Sequence, residues 1–385
     1  MGEGPKKHVR LDDAAIKRLF DAVLGVAVTS ISEIPISYNN RCYIVWTPTT
    51  SYVLRLSPSK IFPQKSENEI AALSVIRQRT TIPVPTVYAS FVSHSHQVSD
   101  IVPSQLDWMI MEHMSGVTLE EVWNELGEED KLGIVDEIGK YVAQMRSIRF
   151  KGFGGLRTQP DGTVAVGKTV LEPYAGPLPS VSAFYREKAR FHIKNLRENK
   201  FLSDWSDLEE PLRRFEEGIE VLLQGCEDEE AFFCHGDLER RNILVTPTQP
   251  HRITALLDFE FSSAASRAED FCLSFSFMSA SFPNPFEHAS IPASVQPYSV
   301  QESRIRERFL CRIGKPAFLD EKEVLIGNVY HVTEGIHPWW LYESDWPKEG
   351  EEGWEVQIVK KDKARNELER GLHWAEEKIA EMTAG

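Results

Sequence analysis

The sequence predicts a two-lobed α+β fold, with a small antiparallel sheet in the N-terminal lobe and a mainly helical C-terminal lobe. Three observations carry that expectation. Strand-like runs gather around one helical pattern before residue 114, and helical periodicity dominates after residue 118. The 385 residues leave room for two lobes of roughly 100–200 residues each. The boundary is expected near residue 113, giving segments 1–113 and 114–385.

Each element has its own signal. Residues 11–25 read as a helix capped by Asp12 or Asp13, striped by Ile16, Leu19, Phe20, Val23 and Leu24, and closed by Gly25. Residues 42–46 and 52–56 read as strands separated by the turn-rich TPTTS. Residues 66–78 read as a helix, with Ser66 as cap and Glu69 at capping-box spacing. Ile82-Pro-Val-Pro85 forces extended backbone into an expected strand, and 107–114 is another. Beyond it, 128–148 places Leu132, Val135, Ile138, Val142 and Met145 on one helical stripe. Residues 151–180, rich in Gly and Pro, read as a long loop. Helices are expected again at 181–199, 208–224 and 359–382.

Composition narrows the function classes. Hydrophobic residues at 42% and charged residues at 26% exclude wholesale disorder. A net charge of −15, from 43 basic against 58 acidic residues, argues against a nucleic-acid surface and against docking on anionic membranes. Five dispersed cysteines without C-x-x-C spacing read as reduced thiols. No apolar run approaches the roughly 20 residues that span a bilayer, and the N-terminal stretch has no apolar signal core. The expected location is cytoplasmic, and no protein partner is inferable.

The chemistry concentrates in 231–261. Two short apolar runs, NILV and ITALLDF, flank a loop holding Pro247 and Pro250, a hairpin pattern. His235-Gly236-Asp237 precedes the first run, Asn242 lies five residues after the aspartate, and Asp258 ends the second run. Phosphoryl transfer from a nucleotide needs an Asp beside the attacking hydroxyl and hard oxygen ligands for Mg²⁺. Asp237 is placed for the first role, and the hairpin would bring Asn242 and Asp258 together for the second.

H-G-D-x-x-x-x-N followed by LLDFE resembles the catalytic core of the aminoglycoside phosphotransferase and choline kinase-like family, whose fold is protein-kinase-like. The resemblance implies transfer of the ATP γ-phosphoryl group to a hydroxyl of a small molecule. It implies Asp237 as catalytic base, Asn242 and Asp258 as magnesium ligands, His235 as a brace for the loop, and Asp270 as a structural anchor. It also implies a cation on the third strand, where YVLRL offers Arg55, braced by a helix carboxylate, Glu69 or alternatively Glu67. MIMEHMSG resembles the hinge, with backbone around Glu112 to Met114 meeting the adenine edge.

One departure stands out: the expected phosphate-covering loop, 36–43, has no glycine. Ser37, Asn39 and Asn40 are the residues there able to supply turns and donors. Acceptor binding is implied in the helical lobe. There EGIHPWWLYESDW sets Trp339, Trp340, Tyr342 and Trp346 beside Glu334, Glu343 and Asp345. Aromatic faces with carboxylates suit a cationic acceptor such as an amino sugar or amino alcohol; a secondary metabolite is the remaining class. Glu260 is a second acceptor-facing candidate. Two rivals stand beside the kinase reading: a pseudokinase-type binding module, and an enzyme using the pocket for other metabolite chemistry, with Cys234 as its nucleophile.

Overall fold

The computed structural model describes residues 10–35, 40–58, 64–94, 97–226, 230–287, 299–314, 320–338, 341 and 350–384. Helix α1 (Asp13–Leu24) is capped by Asp12, whose carboxylate accepts the Ala15 N–H at 2.7 Å, and ends at Gly25 with φ 66°. Strands β1 (Ser30–Ile34), β2 (Arg41–Trp46) and β3 (Ser51–Pro58) follow, then α2 (Lys65–Arg79), β4 (Val87–Ser90), the short α3 (Phe91–His94) and β5 (Leu106–Glu112). The five strands make one antiparallel sheet in the order β1-β2-β3-β5-β4. Ile16, Leu19 and Phe20 of α1 pack on Val45, Leu54, Leu56, Trp108 and Ile110 of that sheet. Burying such apolar side chains contributes about 1.5–3 kcal/mol each.

Three local expectations change here. β1, Ser-Ile-Ser-Glu-Ile, escapes the sequence reading because it is an edge strand with no fully buried residue. Helix α2 starts at Lys65, so Ser66 lies inside it and does not cap it; its N-cap, Gln64, makes no side-chain cap bond. Ile82–Pro85 is an extended connection instead of a strand, since Pro83 and Pro85 have no N–H to donate to a ladder; Pro83 O accepts from Leu256 N at 2.9 Å.

The remainder is mainly helical. It comprises β6 (Val117–Thr118), α4 (Leu119–Val122), α5 (Glu128–Met145), β7 (Arg149–Phe150), β8 (Leu156–Thr158) and β9 (Val164–Val166). Next come α6 (Val181–Glu198), α7 (Glu209–Leu222), β10 (Ala231–Cys234), β11 (Ile243–Val245), β12 (Ile253–Leu256) and β13 (Ser263–Ala265). Helices α8 (Arg267–Leu273), α9 (Val300–Arg312), α10 (Glu321–Ile336) and α11 (Trp354–Ala384) close the chain. The expected loop at 151–180 contains the β8–β9 hairpin, whose three-residue strands are too short to leave a period in the sequence.

Helix α2 does not pack on the N-terminal sheet core alone. Its Leu73, Val75 and Ile76 share one buried cluster with Val135, Ile138 and Phe259. Asn68, fully buried, donates through Nδ2 to Glu260 O at 3.1 Å and Ser262 O at 2.9 Å, while its Oδ1 accepts the Leu156 N–H at 2.6 Å. Among the described residues no helix is long and apolar enough to cross a membrane. No disulfide joins the cysteines.

Candidate active site

Strand β10 sits between β13 and β7 and delivers His235-Gly236-Asp237 at its end. His235 is buried; its Nε2–H donates to Leu257 O at 3.1 Å and its Nδ1 accepts the Asp237 N–H at 3.3 Å. Burial pushes the imidazole down to about 4, so the ring is neutral and can serve as donor and acceptor at once. It thereby ties the loop to the residue before Asp258. Gly236 has φ 78°, and a Cβ there would lie 2.4 Å from Phe261 O, so no other residue fits. Asp270 of α8 is also buried, which raises its carboxyl's proton affinity, while Arg146, with Nη2 3.6 Å away, and the nearby backbone of His235 and Gly236 oppose that shift.

Asp237 is held from two sides. Asn242 Nδ2 donates to its backbone O at 2.8 Å and to Oδ2 at 3.0 Å; Arg241 Nη2 reaches Oδ1 at 2.5 Å. Burial raises the carboxyl's proton affinity above the ordinary Asp value, while Arg241 and Asn242 oppose that shift. A carboxylate with raised proton affinity is suited to accept a proton from a hydroxyl. Arg241 was missed in the sequence, where its only signal was a second arginine inside the H-G-D-L-E-R-R-N motif.

The β11–β12 hairpin forms as the sequence suggests. Ile243 faces Leu256, and Leu257 N–H donates to Asn242 O at 2.9 Å. The pairing sets Asn242 and Asp258 at neighbouring strand ends. Asp258 itself takes φ 63°, ψ 59°, the left-handed region, which a non-glycine residue keeps only when its surroundings enforce it.

Across from this hairpin, Arg55 gathers three carboxylates. Its Nη1 donates to Glu69 Oε1 at 2.6 Å, and its Nη2 to Asp258 Oδ1 at 2.9 Å and to Glu260 Oε2. Arg55, Glu69 and Glu260 are all nearly fully buried. Glu69, not Glu67, is thus the helix carboxylate that meets Arg55; Glu67 lines a cleft with Arg157 and Lys168. Lys65, which sequence reading did not single out, is buried at the start of α2, 3.5 Å from Glu260 Oε2, and burial pushes its ammonium down to about 7. Glu260 therefore faces the sheet-bearing part of the chain, which corrects its expected place toward an acceptor in the helical part.

The charge count bears on a metal. Three carboxylates, on Glu69, Asp258 and Glu260, converge on the Arg55 guanidinium, with Lys65 beside Glu260. Arg55 Nε is buried and has no hydrogen-bond partner. Asp258 is the most exposed of the three carboxylates. Among the described residues no cluster of three His, Cys, Asp or Glu side chains forms a closed cage. One or two protein oxygens completed by phosphates and water is what Mg²⁺ accepts, and the donor set fits it.

The remaining candidates divide. The Glu112 N–H donates to Thr86 O at 2.8 Å and its carboxylate takes the Thr86 hydroxyl; Met114 lies in the irregular connection between β5 and β6. Glu334 of α10 forms an ion pair with Lys188. Ser37, Asn39, Trp339, Trp340, Tyr342, Glu343, Asp345 and Trp346 lie outside the described residues. Cys234 is buried, its thiol donating to Ser266 O at 3.4 Å, a setting for an inert strand cysteine.

Residues 30–305 match the sequence model of the phosphotransferase enzyme family. The chain belongs to that family. Members of known structure share the fold of this phosphotransferase-family chain. A Ralstonia eutropha protein classed as an aminoglycoside phosphotransferase superposes with a TM-score of 0.57 at 18% identity, over 96% of this chain and 99% of its own. The streptomycin–ATP complex of APH(2″)-IIa gives 0.55 at 12% identity, over 94% and 97%. A Haemophilus somnus protein classed as a fructosamine-3-kinase gives 0.53 at 10%, over 92% and 96%. At these identities the likeness establishes the two-lobed kinase-like fold. No curated protein sequence matches the chain.

Proposed function

We propose that this phosphotransferase-family protein is a small-molecule kinase that moves the γ-phosphoryl group of ATP to a hydroxyl of an amino sugar, an amino alcohol or a secondary metabolite. The observation that carries this reading is Asp237, fixed by Asn242 and Arg241 beside the hairpin that presents Asp258 to Arg55, which Glu69 holds in turn. The fold likeness to a streptomycin–ATP complex supports ATP as donor and a small molecule as acceptor. The net charge of −15 favours a cationic acceptor. Residues 1–113 would form the nucleotide lobe, with the backbone from Glu112 to Met114 at the adenine edge, and 114–385 the catalytic and acceptor lobe.

In this mechanism Asp237 orients the acceptor hydroxyl and takes its proton. The hydroxyl oxygen forms a bond to the γ-phosphorus while the bond to the β–γ bridging oxygen breaks, and ADP leaves. Arg55, held by Glu69, directs positive charge at the phosphates, and Asn242 with Asp258 would hold Mg²⁺. When bound, the metal supplies charge neutralisation at the phosphate oxygens. Little covalent work falls to the protein, so positioning and electrostatics carry the rate.

The test is mass-spectrometric detection of a phosphorylated product after incubation with Mg-ATP and a metabolite panel. Asp237→Ala and Asp258→Ala serve as controls. A product gaining one phosphoryl group in the parent and absent with both variants is expected. Equal turnover by all three proteins would sink the site assignment.

A further inference from the structure

The phosphate-covering segment lacks glycine, yet Asn40, immediately before β2, is almost wholly buried. Both ends of its amide are used. Oδ1 accepts from Ser57 Oγ at 2.6 Å and from Lys65 Nζ at 2.8 Å, and Nδ2 donates to Glu260 Oε2 at 2.7 Å. Glu260 Oε2 also takes Arg55 Nη2. Four separate pieces of chain therefore converge: the start of β2, the end of β3, the first turn of α2, and the segment directly after Asp258. A lysine at a helix N-terminus opposes the helix dipole, and burying it adds a desolvation cost. Lys65 has both handicaps, so its contacts with Asn40 and Glu260 need a reason beyond stability of α2. The reason is geometric: the two contacts fix where Glu260 sits, and Glu260 fixes the guanidinium of Arg55 against Asp258.

We propose that Asn40, Lys65 and Glu260 form a polar clasp that positions Arg55 and the start of β2 for the nucleotide, in place of a glycine-rich loop. The inference rests on the kinase reading. In glycine-rich loops, backbone N–H groups approach the phosphates because no Cβ intervenes. Here side chains fasten Asn40, at the start of β2, and tie it through Glu260 and Arg55 to the residue that would carry Mg²⁺. Asn40, Lys65 and Glu260 are positioning residues: they act on the nucleotide through Arg55 and Asp258.

Calorimetric titration of Mg-ATP into the full chain tests the clasp without an acceptor. Asn40→Ala and Glu260→Gln should each raise the Kd for Mg-ATP about ten-fold, the scale seen when supporting contacts around a metal or ligand are removed. The double variant should lose no more than either single one, because both cut the same network. Ser57→Ala, which removes one hydroxyl donor to Asn40, should give a smaller rise in the same direction and keeps the protein measurable if the other variants fold poorly. A lowered melting temperature with unchanged Kd would make the network structural only and overturn the proposal, as would fully additive losses. A parent that binds no Mg-ATP would sink the kinase reading and the clasp with it, whereas a binding parent with unaffected variants would sink the clasp alone.

Discussion

Arg55 Nη1 lies 2.6 Å from Glu69 Oε1, joining strand β3 to helix α2 between two side chains that are 7% and 3% exposed. Removing one partner of a buried pair leaves the other charge without compensation, which costs about 3–5 kcal/mol. Arg55→Ala is therefore expected to lower the urea midpoint strongly and to abolish Mg-ATP binding. Arg55→Lys keeps the charge but loses the fork that reaches Glu69 and Asp258 together, so its binding should fall between parent and Ala. Equal stability of parent and Arg55→Ala would contradict the pair's importance.

Gly236 combines a left-handed backbone with contact against Phe261 O. Gly236→Ala should cost about 3 kcal/mol, from the left-handed penalty and the steric shift together. Because the displaced residue adjoins Asp237, turnover should drop further than stability. A variant with parental melting and parental rate would show that the loop tolerates a Cβ.

Acid should loosen the helical part through its neutral histidines. Burial pushes His331 down to about 4 against the opposing pull of Glu334 and Glu287, and burial with help from His192 pushes His337 down to about 4. An unfolded histidine titrates near 6.5, so between about pH 6.5 and 4 the unfolded chain binds more protons and stability falls as pH falls. A fully shifted group contributes at most about 1.4 kcal/mol per pH unit. Asp107, pushed up to about 6 by burial, works in the opposite sense. Comparing urea midpoints of parent and His331→Gln at pH 7 and 5 isolates the histidine: the parent should lose more than the variant. Equal losses would show that His331 does not titrate on unfolding.

Cys234→Ala removes a small buried group and should cost about 1 kcal/mol while leaving phosphoryl transfer intact. A folded Cys234→Ala protein without turnover would revive the thiol as nucleophile.

Where the sequence was legible, the signal was local. Helix α1 announces itself through its stripe, Asp12 and Gly25, and the H-G-D motif with its hairpin needs fewer than thirty consecutive residues to read. Ser66 misled because its spacing to Glu69 mimics a capping box, whereas Glu69 turns instead to an arginine fourteen residues earlier. Asn40 and Glu260 stand out in the sequence only for other roles, and nothing local joins them to each other or to Lys65. Asn40 and Glu260 are 220 positions apart, and only the folded sheet and helix bring them together. Arg241 was within the motif, but nothing local distinguishes an exposed arginine that pairs with Asp237 from one that meets only water.

Asn68 gives the molecule a character that its charges do not reveal. By gripping the backbone at Glu260, Ser262 and Leu156, it rivets helix α2 to the remainder of the chain. Swinging that helix outward would strand three buried backbone groups, at about 1–3 kcal/mol each. Helix α2, and with it the Glu69 carboxylate that meets Arg55, is thereby seated by neutral amide bonds as well as by its ion pair.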